Sequence, residues 1–356
     1  MPELDGVRGL AALVVFGHHL LDAYIPNSAV WNPFVRWTAK TLQWGAYGVD
    51  FFFVLSGFLI TTILLKDRDQ PAFFQNFYWK RALRILPLYF VSLALLSVFS
   101  SASKIYVLLC VFFLSNFANM LHQDSSGPYW TLAIEEQFYL LWPYVVRRLS
   151  VERLQQAALG LAGTCMLLRL AAAMLGHYNF RFPFFRFDGL ALGALLACQH
   201  FRRQRGDENR HSRTGRSLIL IASVGLLALL PVTFLQLETR PWLIAFAVQV
   251  AGINLLGYAL IAVCVNYAGS PWLAILRSRV LVFFGAISYC FYMVHAFVIL
   301  EYDRRHLSLT VNDMRAYFLR IAVVLAVSIA ICIISRYVLE LPAQRLRQYV
   351  LRGRRS

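Results

Sequence analysis

The 356-residue sequence predicts an all-α fold, a polytopic membrane bundle of about 10 transmembrane helices. Three observations predict it. Hydrophobic residues make up 59% and charged residues only 15%, where a soluble domain keeps about a quarter of its residues charged. Eleven apolar stretches approach the roughly 20 residues that a membrane-crossing helix needs. The net charge of +16, from 34 Lys+Arg against 18 Asp+Glu, gathers in short connectors, as the positive-inside rule describes. That distribution favours a membrane surface over nucleic acid as the partner of the basic groups. It excludes a disordered chain, a coiled coil and an ordinary cytosolic enzyme.

In chain order the stretches are Gly6–Ile25, Tyr47–Leu65, Ile85–Ser100, Ile105–Leu121, Trp130–Val146 and Leu154–Leu175. Then come Phe187–Phe201, Leu218–Leu235, Trp242–Tyr267, Val280–Leu300 and Tyr317–Val338. The connectors Lys66–Arg84, Arg147–Arg153, Arg202–Arg216, Arg277–Arg279 and Arg345–Arg355 together hold 21 basic residues. They share one side, with both termini, only if the region from Ile105 to Val146 crosses once. Asn116, Asn119 and His122 make the end of Ile105–Leu121 polar, so that stretch is expected to be re-entrant. The basic loops then place both termini in the cytoplasm. Arg202–Arg216 reads as a solvated loop and 343–356 as a basic cytoplasmic tail.

Leu10–Leu21 is not read as a signal peptide, because His18 and His19 interrupt it and no small-x-small cleavage site follows. Cys110, Cys165, Cys198, Cys264, Cys290 and Cys332 all sit in apolar stretches without CxxC spacing, so they read as small buried hydrophobes rather than metal ligands.

Ionisable groups inside spans are costly and need a partner, a wet cavity or a role. Arg8 and His19 are eleven helical steps apart, about 20° from whole turns, and so face one way some 16 Å apart along the axis. His18 points to another face. Asp50, Glu135 and Glu136 enter from the outer ends of inward-running spans, and His295 is late in an outward-running one. Lys80, Arg81 and Arg84 lie at the cytoplasmic boundary, where they serve as topology anchors or as a site. Asp188 and Glu340 complete the candidates. Such a set suits proton transfer, since a neighbour that keeps one imidazole nitrogen protonated leaves the other free as a base.

The segments LDGVRGLAALVVFGHH, GVDFFFVLSGFLITTILL, FYWKRALRILPLYF, WTLAIEEQFYLLWP, FDGLALGALLA and ISYCFYMVH resemble, in this order, the acyltransferase-3 family of bacterial membrane O-acyltransferases. The resemblance runs from about Pro2 to Pro342. It implies a ten-helix inner-membrane enzyme, with a membrane domain over 1–342, that moves an acyl group, commonly acetyl from acetyl-CoA, onto a carbohydrate hydroxyl. The family's Arg/Lys-x10-His pair falls on Arg8 and His19, its Arg-x-x-Arg motif on Arg81 and Arg84, and its acidic pair on Glu135 and Glu136. Its Glu-x-Pro element falls on Glu340, where Leu341 replaces the usual basic residue. Some members add a periplasmic SGNH hydrolase-like domain, which is not expected here, so any second transfer in that domain would need another protein or does not occur.

The resulting expectation is vectorial. Acyl-CoA, a co-substrate rather than a tightly bound cofactor, sets its phosphates against Arg8, Arg81 and Arg84. His19 acts as base on a glycan hydroxyl, oriented by Glu135, Glu136 or Asp50; an acyl-histidine intermediate is the competing form. A transporter or flippase of an envelope glycan would share the span count and buried polar groups, though the paired repeat of such folds is not evident. A non-catalytic scaffold would have little need of His19. The aromatic stretch Val30–Tyr47 suits either sugar stacking or an interfacial belt.

Overall fold

A computed structural model describes residues 1–22, 44–99, 102–123, 127–177, 179–206, 211–229, 239–310, 314–343 and 345. Most of Val30–Tyr47 and of the basic tail, and part of Arg202–Arg216, lie outside them. The described helices are α1 (Pro2–Asp22), α2 (Gly48–Lys66), α3 (Phe73–Phe99), α4 (Lys104–Val111), α5 (Tyr129–Arg148) and α6 (Val151–Met174). They continue with α7 (Phe187–Gln204), α8 (His211–Leu227), α9 (Thr239–Asn266), α10 (Arg279–Thr310) and α11 (Met314–Ser335). No strand occurs among the described residues. Among the described residues, six helical stretches are long and apolar enough to cross a membrane: Trp44–Lys66, Phe73–Val98, Val151–Met174, Pro241–Asn266, Arg279–His306 and Arg315–Ala343. All six cysteines are buried.

Two helices differ from the expected spans in a way that bears on the site. α3 begins at Phe73 rather than Ile85, so Lys80, Arg81 and Arg84 belong to the same continuous helix as the span. The Ile105–Leu121 stretch breaks into the eight-residue α4 and a 3-10 segment, Ser115–Leu121. Eight residues rise only about 12 Å, too little for the hydrocarbon core.

Helix directions give an independent check on that break. In α1 and α10 a Cβ at Gly9 would stand 2.0 Å from the Leu281 carbonyl oxygen, and one at Gly285 would stand 2.0 Å from that of Asp5. Only glycine permits so close a crossing, and packing of small residues is a main source of helix association in lipid. Gly9 and Gly285 are 276 residues apart, the same separation as His19 and His295, which touch ten residues further along each helix. The two helices therefore run in the same direction. A second lock joins α2 and α7, where a Cβ at Gly57 would meet the Leu190 carbonyl oxygen at 1.9 Å and one at Gly193 that of Val54 at 2.0 Å. The Asp50–Arg186 contact keeps the Gly57–Gly193 spacing of 136, so this pair is also parallel. Ten alternating crossings give both pairs the same direction. Eleven would oppose them.

Replacing Gly285 by Leu is expected to destabilise the protein by about 1–3 kcal/mol through overpacking and to separate the two histidines. The check is thermal unfolding of the detergent-solubilised variant beside its residual activity.

Candidate active site

A cavity of about 580 Å³ lies between α1, α2, α3, α5 and α10. Its lining runs along α2 from Lys66 to Val49, seventeen helical steps and about 25 Å of rise. One end is cationic: Arg8, Lys66, Lys80 and Arg84 line it together with Asp67. Lys80 is paired with Asp67 at 3.1 Å and Arg8 with Asp5 at 3.4 Å. Among the described residues Arg84 and Lys66 have no ion pair, so their charges face the cavity unopposed by a carboxylate within bonding distance. Arg84 has Glu340 within electrostatic reach; that carboxylate stands half-buried in the π-helical turn Arg336–Glu340 that follows α11.

Arg81 lines the cavity too, but its charge is engaged by groups of the protein. Its guanidinium lies 3.4 Å from Glu135 Oε2 and 3.6 Å from Glu136 Oε1, and stacks over the Tyr139 ring with its carbon 3.9 Å from the centroid. Glu135 is further held by the Ser56 hydroxyl, which donates to Oε1 at 2.9 Å, and by the Tyr139 hydroxyl, which donates to Oε2 at 3.0 Å. One cation is thus shared by two carboxylates. The cluster ties α2, α3 and α5 together along the cavity wall. The expected pair Arg81 and Arg84 thus shares the cavity lining but splits into a carboxylate-paired cation and one that has no ion pair among the described residues.

At the opposite end the lining closes with Phe52, Thr131 and Tyr292, and His19 is not part of it. The Thr131 and Tyr292 hydroxyls are 3.0 Å apart, and the Tyr292 ring lies 6.0 Å from the His295 ring. Tyr292 precedes His295 by three residues, about 4.5 Å of rise. One aromatic layer therefore separates the cavity from the imidazoles.

Beyond that layer His19 Nδ1 lies 2.9 Å from His295 Nε2, and His295 Nδ1 donates to the Phe291 carbonyl oxygen at 2.7 Å. His295 is 1% exposed, wedged against Phe291 and Phe16, while His19 is half-buried. The register set at Gly9 and Gly285 delivers both rings to one level. The next turn is held by the wholly buried Arg320 of α11. Its fork donates twice to Asp303 of α10, at 2.6 Å each, and once to the Leu20 carbonyl of α1 at 2.6 Å.

The expectation of a carboxylate against His19 needs correction: among the described residues its bonding partner is another histidine. Glu135 and Glu136 are engaged with Arg81. Asp50 is 1% exposed and pairs with Arg186 at 2.9 Å, and Asp188 pairs with the buried Arg169 at 2.9 Å. These two pairs tie α7 and the turn before it to α2 and α6, away from the cavity lining. Sequence reading did not single out Lys66, Thr131, Tyr292 or Arg320. Lys66 carried the signal of a topology anchor, and Tyr292 stood one turn before a flagged histidine.

The family profile described as "Acyltransferase domain" matches residues 1–337. Among curated proteins, the chain is 32% identical over 163 residues to the peptidoglycan O-acetyltransferase OatA of Listeria monocytogenes, covering 40% of this chain and 24% of that one. It is 28% identical over 333 residues to a Staphylococcus aureus protein (strain MSSA476) named "Putative O-acetyltransferase", covering 84% of this chain and 50% of the other. A Bacillus subtilis protein named "Putative peptidoglycan O-acetyltransferase" is 34% identical over 173 residues, 40% of this chain and 23% of its own. The chain thus spans half or less of these relatives' length. No solved structure matches it significantly.

Proposed function

Because the chain belongs to the acyltransferase-3 family, we propose that it is a membrane O-acetyltransferase that moves an acyl group, acetyl in the simplest case, from cytoplasmic acyl-CoA to a hydroxyl of a cell-envelope glycan. The observation that carries this reading is a cavity about 25 Å long with unopposed cations at one end and a histidine pair one aromatic layer beyond the other. In this reading the cationic end faces the cytoplasm of a bacterial inner membrane, as the basic connectors require. The nucleotide and its three phosphates rest on Arg84, Lys66 and Arg8, and the pantetheine arm runs along the cavity. The names of the relatives, which specify peptidoglycan where they specify a glycan, support an envelope polymer as acceptor.

The reaction follows from the groups in place. With Tyr292 turned aside, His19 takes the proton of the acceptor hydroxyl as its oxygen forms a bond to the thioester carbonyl carbon. The C–S bond then breaks, the CoA sulfur leaves as thiolate, and the proton on the imidazole returns to it. Products are an O-acyl glycan and free CoA, with the imidazole regenerated.

Membranes containing the protein, supplied with acetyl-labelled acetyl-CoA, are expected to place label in a glycan fraction from which mild base releases it. No base-labile glycan label above protein-free membranes would refute the assignment. Removing the charge of Arg84 or Lys66 by alanine is expected to raise the apparent KM for acetyl-CoA about tenfold each, with kcat within about twofold. A lost charge-assisted hydrogen bond is worth about 1.5–3 kcal/mol. An unchanged KM in both variants, read from initial rates, would remove the phosphate role. Arg81→Ala is expected to act instead on protein level, because it strands Glu135 and Glu136.

A further inference from the structure

We infer that His295 is the positioning residue of the reaction: it holds the His19 ring in the Nδ1–H tautomer and leaves His19 Nε2 as the basic atom. The inference rests on the reading of His19 as the base and adds which nitrogen acts and what selects it.

The argument is a count of protons along a short chain of hydrogen bonds. A backbone carbonyl oxygen can only accept, so the nitrogen 2.7 Å from the Phe291 carbonyl, His295 Nδ1, carries a hydrogen. A neutral imidazole has one N–H, so His295 Nε2 presents a lone pair. That lone pair faces His19 Nδ1 at 2.9 Å, and two facing lone pairs at this distance would repel. His19 Nδ1 therefore donates, and the single proton of a neutral His19 is spent there. The base is Nε2.

The same arrangement does what a carboxylate does in a Ser–His–Asp triad, fixing tautomer and ring plane, without placing an anion in the membrane interior. It differs in one respect: His295 brings no full negative charge to the imidazolium formed during transfer, so the stabilisation comes from its lone pair and the Phe291 carbonyl dipole. The surroundings suit orientation. His295 is stacked on Phe291 with centroids 5.7 Å apart and is edge-on to Phe16, so its ring cannot turn freely, and Arg320 pins the helical turns just beyond it.

The test compares three variants in membranes at matched protein level: His295→Ala, His295→Gln, whose amide oxygen can accept from His19 Nδ1, and His295→Phe, which fills the ring space without an acceptor. Alanine and phenylalanine are expected to lower kcat about a hundredfold or more while the KM for acetyl-CoA stays within about twofold. Glutamine is expected to recover at least about tenfold of that loss. The comparison between glutamine and phenylalanine separates hydrogen bonding from packing and stands even where alanine fails to accumulate. Equal kcat in those two variants, or a phenylalanine variant above half the wild-type rate, overturns the positioning role. If His19→Ala is itself active, the base assignment fails instead, so the two failures are distinguishable.

Discussion

His19→Ala is expected to abolish acyl transfer while the protein continues to reach the membrane at its normal level. A positioned general base contributes about 10²–10⁴-fold, and neither imidazole beside it is placed to replace it: His295 is committed through Nδ1 to the Phe291 carbonyl, and His18, one residue earlier on α1, points to another face of the helix. Folding is expected to survive for separate reasons. α1 is held to α10 by the glycine crossing at Gly9 and Gly285 and by Arg320 on the Leu20 carbonyl. The cost of truncation is then mainly one unpaired His295 Nε2, about 1–3 kcal/mol. The measurement is transfer of label from acetyl-CoA at equal membrane abundance. Turnover above about a tenth of wild type, against that expected loss, would remove His19 from the chemistry.

The second large effect concerns folding. Arg169 is fully buried, donates to Asp188 at 2.9 Å and to the Ala247 carbonyl at 3.1 Å, and so joins α6, α7 and α9. Arg169→Leu leaves Asp188 as an unpaired buried carboxylate, a loss of about 3–5 kcal/mol, enough to deplete the protein from membranes. The double change Arg169→Leu with Asp188→Leu removes both charges and is expected to restore much of that level, since an apolar pair of similar volume often replaces a buried ion pair at little cost. Quantitative immunoblotting with thermal unfolding in detergent reads both. Recovery of protein without recovery of acyl transfer would return Asp188 to the candidates for a direct role; recovery of both would mark it as a structural ion.

The membrane fold was legible because bilayer insertion is a one-dimensional problem: composition, span length and the side of each basic connector are properties of consecutive residues. The break within Ile105–Leu121 was legible for the same reason, through the charge balance. Arg8 and His19 could be placed on one face because both lie on one helix, where 3.6 residues per turn decides direction. Partners on other helices could not. Arg81 and Arg84 look alike in sequence and line the same cavity, yet Arg81 is paired with Glu135 and Glu136 and stacked on Tyr139 while Arg84 has no ion pair among the described residues. Asp50 stood behind Glu135 and Glu136 as a carboxylate to orient the imidazole, and it is held by Arg186.

The amino-acid sequence by itself determined that this chain is a helical membrane protein of the acyltransferase-3 family, and which polar residues had to find partners away from lipid. Only the tertiary structure decided who those partners are. The contact between His19 and His295 spans 276 residues, and it exists because two glycines let parallel helices approach to backbone contact, fixing a register that no local pattern encodes.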